Sequence, residues 1–157
     1  MKQGLTALVA AATLSCAPLQ PRQLLIGDRA GNSLDFLYTT ITRKAGVEFA
    51  ACVEGHVAKD TIYADKVSMP AYIYAAHDSV MVKGCDDEDY VGFIHSHPPN
   101  DSTMACGLSV KDATSYVNDH RAYFHGVVCR EGYILYFTRS QRDNIQSQLD
   151  SIKGASE

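Results

Sequence analysis

The sequence predicts an α/β fold in which a mixed β-sheet is flanked by helices. Three observations predict it. An apolar stripe at helical spacing (Leu34, Leu37, Tyr38, Ile41) opens the folded part. Short β-prone runs fill the middle of the chain, and two further helical patterns stand among and after them. The length of 157 residues fits one domain with its own core.

The first helix is expected over 33–44, capped by Asn32 or Ser33 and stopped by Gly46. Strand character then runs over 47–57, 67–74 and 80–82, with Pro70 weakening the second of these. The apolar run Val91-Gly92-Phe93-Ile94 delivers His95 at its end. The segment 98–108 is rich in Pro, Asn, Asp, Ser and Gly and reads as a loop. A helix is expected over 109–121, then a hairpin of 123–128 and 132–138 around Arg130-Glu131-Gly132. Ile145, Leu149 and Ile152 mark a closing helix over 141–152.

Ahead of this, Lys2 and the alanine-rich apolar run 5–14 have the form of an export signal, too short to span a bilayer. Cys16 follows at once, so 1–16 is read as a signal peptide with Cys16 as a candidate lipidation site. Cleavage nearby without lipid, or an N-terminal core helix, are the competing readings. The expected organisation is then a tether over 17–31, the domain over 32–152 and a tail over 153–157. A lipid on Cys16 is the one membrane attachment expected, in a periplasmic or membrane-anchored protein.

Four other cysteines remain: Cys52, Cys85, Cys106 and Cys129. In an exported protein an even number suggests up to two disulfides, with three connectivities open. Cys85 with Cys106 would staple the loops around the histidine strand, and Cys52 with Cys129 would join two strand-like runs. Buried free thiols are the bland alternative, and no CxxC pair points to zinc. The net charge of −4 argues against a nucleic-acid binder. Much of it comes from Asp86-Asp87-Glu88-Asp89, which reads as a solvated loop.

The chemistry concentrates in His95-Ser96-His97-Pro98 and Ser109-Val-Lys-Asp112. Two histidines two apart on a strand place both imidazoles on one face. A carboxylate from the next element completes three protein ligands and leaves one open position, as a hydrolytic zinc site requires. Ser109 and Asp112 also form a capping box, and one helix start can serve both purposes. Glu48, far upstream, is a candidate proton carrier, with Glu54 as its competitor. His56, His77, His120 and His125, taken singly, read as structural.

Glu48 with Gly55, then a strand ending His95-Ser96-His97-Pro98, then Ser109 with Asp112, resembles the signature of the JAMM (MPN-plus) metalloproteases. The hydrophobic lead-in Val91–Ile94 fits it too, and the likeness spans about 33–138. The link 98–108 is longer than the family usually has, with Asp101 inside it as a substitute ligand, and Ala51 stands where a glycine is common.

The resemblance implies a cytidine-deaminase-like, MPN-type architecture, with Zn²⁺ on His95, His97 and Asp112. It makes Glu48 the proton carrier, Ser109 an oxyanion donor and Ser96 an orienting neighbour. Tyr90, Phe93 and Met104 become candidate groove residues. The implied activity is a zinc peptidase or isopeptidase acting on a peptide or protein in the cell envelope. The alternatives are a zinc amidase on peptidoglycan stem peptides and a silent binding scaffold of the same fold. Ubiquitin, which eukaryotic members remove, does not suit an exported protein.

Overall fold

The structure is a computed structural model that describes residues 21–99 and 106–154. Cys16, Asp101 and Met104, and the readings placed on them, lie outside the described residues. Eight strands and three helices follow one another as β1 Gln23–Ile26, α1 Asp28–Leu37, β2 Ala50–Ala58, β3 Thr61–Ser68, β4 Tyr72–Ala75, β5 Val80–Val82, β6 Tyr90–Ser96, α2 Val110–Asn118, β7 Phe124–Arg130, β8 Tyr133–Thr138 and α3 Arg142–Gly154. Among the described residues no helix is long and apolar enough to cross a membrane.

Six strands form one mixed sheet in the order β1-β3-β2-β6-β7-β8, in which β1 with β3 and β6 with β7 are parallel. The expected α/β class and mixed sheet are therefore present. β4 and β5 stand apart as a two-stranded hairpin, separated from β3 by the segment that carries Pro70. A proline has no N–H to donate, so ladder pairing ends there.

The first helix begins earlier than expected. Asp28 opens it behind Gly27, and Ser33 lies inside, its hydroxyl donating to Arg29 O at 2.9 Å instead of capping. The stretch 23–31, read as tether, thus holds β1 and the start of α1, and β1 pairs with β3 from Gln23↔Thr61 to Ile26↔Ala64. The helix continues as a π-helical turn, Tyr38–Arg43, and stops at Gly46, whose φ of +67° suits glycine.

Period-two alternation divides the sheet into two faces. Toward α1 point Ala51, Val53, Ile94, Phe124 and Val128, packed with Leu34 and Tyr38 in the main core. The opposite face carries the polar positions of β6 and β7, under α2. That helix packs on α3 through Ala113, Tyr116, Val117, Ile145 and Leu149. Burial of such apolar side chains stabilises by roughly 1.5–3 kcal/mol each.

All four remaining cysteines are bonded, but as Cys52–Cys85 and Cys106–Cys129. Neither pair singled out from loop and strand positions forms. Cys52 faces away from the α1 core and packs with Tyr90 and Ala122 beside Cys85, and the end of β7 meets the residue three before Ser109. Disulfides in general form and persist in oxidising environments.

Candidate metal centre

His95 is the penultimate residue of β6 and His97 comes directly after its last residue, Ser96. Main-chain pairing keeps this stretch extended after the strand: His97 N donates to Val128 O at 3.0 Å and Ser96 N to Phe49 O at 3.0 Å. Both imidazoles thus project from the same face and both are buried. Ser96, between them, points the other way. Its Oγ accepts from Phe49 N at 2.9 Å and shares a 2.5 Å hydrogen bond with Thr42 Oγ1. The serine therefore bolts the residue after Glu48 to the histidine strand.

Asp112 comes from the first turn of α2. The capping box is complete: Asp112 Oδ2 accepts from Ser109 N at 2.9 Å and from Ser109 Oγ at 2.6 Å, while Ser109 Oγ accepts from Asp112 N at 3.1 Å. The same Oδ2 stands 3.4 Å from His95 Nε2 and 3.7 Å from His97 Nε2, and the two Nε2 atoms are 3.1 Å apart. Burial works to raise the Asp112 carboxyl, but hydrogen bonds from His95, His97 and Ser109 hold it well below the usual carboxylate range. In this arrangement the Ser109 hydroxyl proton is committed to Asp112.

Glu48 lies just before β2 and is buried. Its N–H donates to Ala76 O at 2.9 Å, which fixes it to the β4–β5 hairpin. Its Oε1 is a buried acceptor without a hydrogen-bond partner. Desolvation pushes its carboxyl up to about 7, with His97 lowering it and Asp112 and Asp78 raising it. Glu54 is occupied elsewhere, accepting from Lys66 Nζ at 2.6 Å. It sits at the bulge where Gly55 comes so close to β3 that an added Cβ would lie 1.9 Å from Tyr63 O. Only glycine fits there, which gives a backbone reason for the spacing from Glu48 to Gly55.

Glu48, His95, Ser109 and Asp112 line one groove of about 360 Å³. His95 and Phe93 form its floor, Asp112 and Ser115 one wall, and the hairpin residues Asp78 to Val82 the other. Tyr90 and Phe93 are in the groove, as expected. Asp78, Lys111 and Asp119 also line it and were not singled out from sequence, and so does His125, which the sequence reading took as structural. Asp119 follows Asp112 by seven residues, at the C-terminal cap of α2, and His125 pairs in register with Phe93.

Among the described residues, His95, His97 and Asp112 form a group able to hold a metal ion. Zn–N and Zn–O bonds of about 2.0–2.2 Å place tetrahedral donor atoms about 3.4 Å apart. The observed edges of 3.1, 3.4 and 3.7 Å bracket that value. Comparison with known proteins finds neither a family model nor a curated protein that matches the chain.

Proposed function

We propose that this protein is a zinc-dependent peptidase of JAMM type that hydrolyses an amide bond in a peptide or protein outside the cytoplasm. The observation that carries the reading is the convergence of three ligand atoms, from β6, its extension and α2, beside a buried carboxylate with an unpaired oxygen. Two imidazoles and one carboxylate suit zinc, and three protein ligands leave a position open. The metal-ligand pattern, the order of the motifs and the mixed sheet support the family reading, and the two disulfides support export.

His95, His97 and Asp112 would hold the ion. Bound zinc supplies Lewis acidity, which makes a contacting water easier to deprotonate near neutral pH and polarises a substrate carbonyl. Glu48 takes the proton of the attacking water and returns it to the amide nitrogen as the C–N bond breaks. In the metal-free site burial raises this carboxyl, which favours proton uptake. Ser109 holds Asp112 by two hydrogen bonds and so sets the third ligand. The groove receives an extended chain over the floor formed by His95 and Phe93.

The test is zinc content by mass spectrometry and cleavage of an unfolded protein and of purified peptidoglycan. One zinc per chain and cleavage lost in Glu48→Gln support the reading. Absence of zinc after reconstitution overturns it, and cleavage of stem peptides alone redirects it to an amidase.

A further inference from the structure

We infer that the end of the groove built on Tyr90, Asp119 and His125 is a subsite for a substrate side chain carrying an amine or guanidinium. This deepens the peptidase reading and rests on it for the meaning of substrate.

The placement repeats that of the metal centre. The helix whose first turn gives Asp112 to the two histidines is followed at its C-terminal cap by Asp119, which meets His125. On the sheet, His125 is in register with Phe93, and Phe93 precedes His95 by two, so all three project from one face. The Phe93 and His125 rings are 5.4 Å apart. Both clusters line the same groove, one strand segment apart.

The hydrogen bonds at this end define what it lacks. Asp119 Oδ2 accepts from Tyr90 OH at 2.6 Å and from His125 Nε2 at 3.3 Å. Its Oδ1 accepts from the amides of Arg121 and Ala122, each at 3.2 Å. Asp119 is therefore filled, and it is a positioning residue that acts through Tyr90 and His125. A proton on His125 Nε2 leaves Nδ1 as a bare acceptor, and the Tyr90 oxygen keeps its lone pairs. Burial holds the His125 imidazole below its usual range, with Asp119 opposing, which favours the neutral ring.

What remains on offer is acceptors and aromatic faces, and both select donors and cations. The wider charge agrees. Among the described lining residues outside the metal centre and its proton carrier, the carboxylates are Asp78 and Asp119, against the cation Lys111. Arg121 lies over the Tyr90 ring at 5.4 Å and is held by the carbonyls of Cys85 and Asp87. The Tyr90 environment thus already accepts one guanidinium.

The test uses zinc-loaded full chain and a positional-scanning library of acetylated hexapeptide amides, with cleavage read by mass spectrometry. Library binding to zinc-loaded Glu48→Gln is measured in parallel. Lys, Arg or ornithine is expected to be enriched at one position, and norleucine there is expected to raise KM at least about tenfold. His125→Phe and Tyr90→Phe keep the rings and remove the acceptors. The lysine-over-norleucine preference should collapse toward one in both, through KM, while zinc is retained. A merely structural role lowers Tm in both variants without moving that ratio. If His125→Phe fails to fold, Tyr90→Phe carries the test.

No cationic preference in the wild type, selection of neutral donors instead, or a preference unchanged in the variants overturns the inference. Cleavage without preference sinks the subsite alone. Selective binding by Glu48→Gln with no cleavage by the wild type sustains the subsite and sinks the peptidase reading.

Discussion

Ser109 and Asp112 hold each other: the serine amide and hydroxyl both donate to Asp112 Oδ2, and the serine oxygen accepts the aspartate amide. One motif therefore starts a helix and aims a metal ligand. Ser109→Ala should weaken zinc binding about 10–100-fold, the usual cost of losing an outer partner of a ligand. It should also destabilise the zinc-free protein by about 1 kcal/mol through the lost cap. Competitive zinc titration and thermal melts of the zinc-free protein measure the two effects separately. An unchanged zinc affinity would mean that the box is only a helix start.

Glu48 should impose a pH dependence on the zinc-free protein. Its folded pKa of about 7 lies above the 4.5 of a free glutamate, so the native state keeps a proton that the unfolded chain releases. Stability from this group is full below about pH 4.5 and is lost as pH rises through 7. The shift corresponds to about 3 kcal/mol. Glu48→Gln has no such slope, so its stability relative to the wild type should improve between pH 4 and pH 8. Parallel urea unfolding curves of the two zinc-free proteins would show it, and a constant difference would refute it. The same substitution should keep zinc and abolish turnover.

The parts of the site legible in the sequence are those that local geometry dictates. His95 and His97 share a face because strand side chains alternate, and Asp112 was legible as the partner of a capping serine. The environment of Glu48 was not legible, because its main chain is held by Ala76 of the distant hairpin and its side chain is buried in the folded protein. β1 is four residues long and follows Pro21, and Gly27 stands where a helix cap is usually Ser or Asp, so periodicity had little to act on. The disulfide pairing was hidden for the same reason as Glu48. Cys52 meets Cys85, and Cys106 meets Cys129, only after the sheet has ordered its strands. His125 and Asp119 each looked ordinary alone, and their pairing needs β7 beside β6 under α2.

His97→Ala should reduce zinc affinity by more than the roughly 100-fold ceiling of an outer-partner change, because a direct ligand is removed. The backbone bond from His97 N to Val128 O survives the substitution, so the fold should persist. For the wild type, zinc at about 100 times its Kd should stabilise by about 2.7 kcal/mol, and a chelator should reverse it. Differential scanning calorimetry with and without zinc reads both. A variant whose Tm still rises with zinc as in the wild type would place the metal elsewhere.

The two disulfides should differ in what they do for the site. Each closes a loop, of sequence separation 33 for Cys52–Cys85 and 23 for Cys106–Cys129. By chain entropy each should stabilise by roughly 3–4 kcal/mol. Their positions differ more than their energies. Cys106–Cys129 joins the approach to Ser109 with the residue after Val128, whose carbonyl holds His97. It ties the approach to the Asp112 helix to the strand whose backbone holds His97, across a link from His97 to Ser109 that is otherwise long. Cys52–Cys85 instead fastens a groove-wall residue to β2. Replacing Cys106 and Cys129 by serine should therefore cost both stability and zinc affinity, the latter by at least about tenfold by analogy with a lost supporting shell. Replacing Cys52 and Cys85 should cost comparable stability and leave zinc affinity within about threefold, since all three ligands stay anchored. Zinc titrations of both double variants, at a temperature where circular dichroism shows each folded, decide the matter. Equal losses of zinc affinity in the two would mean that the bonds act only through global stability.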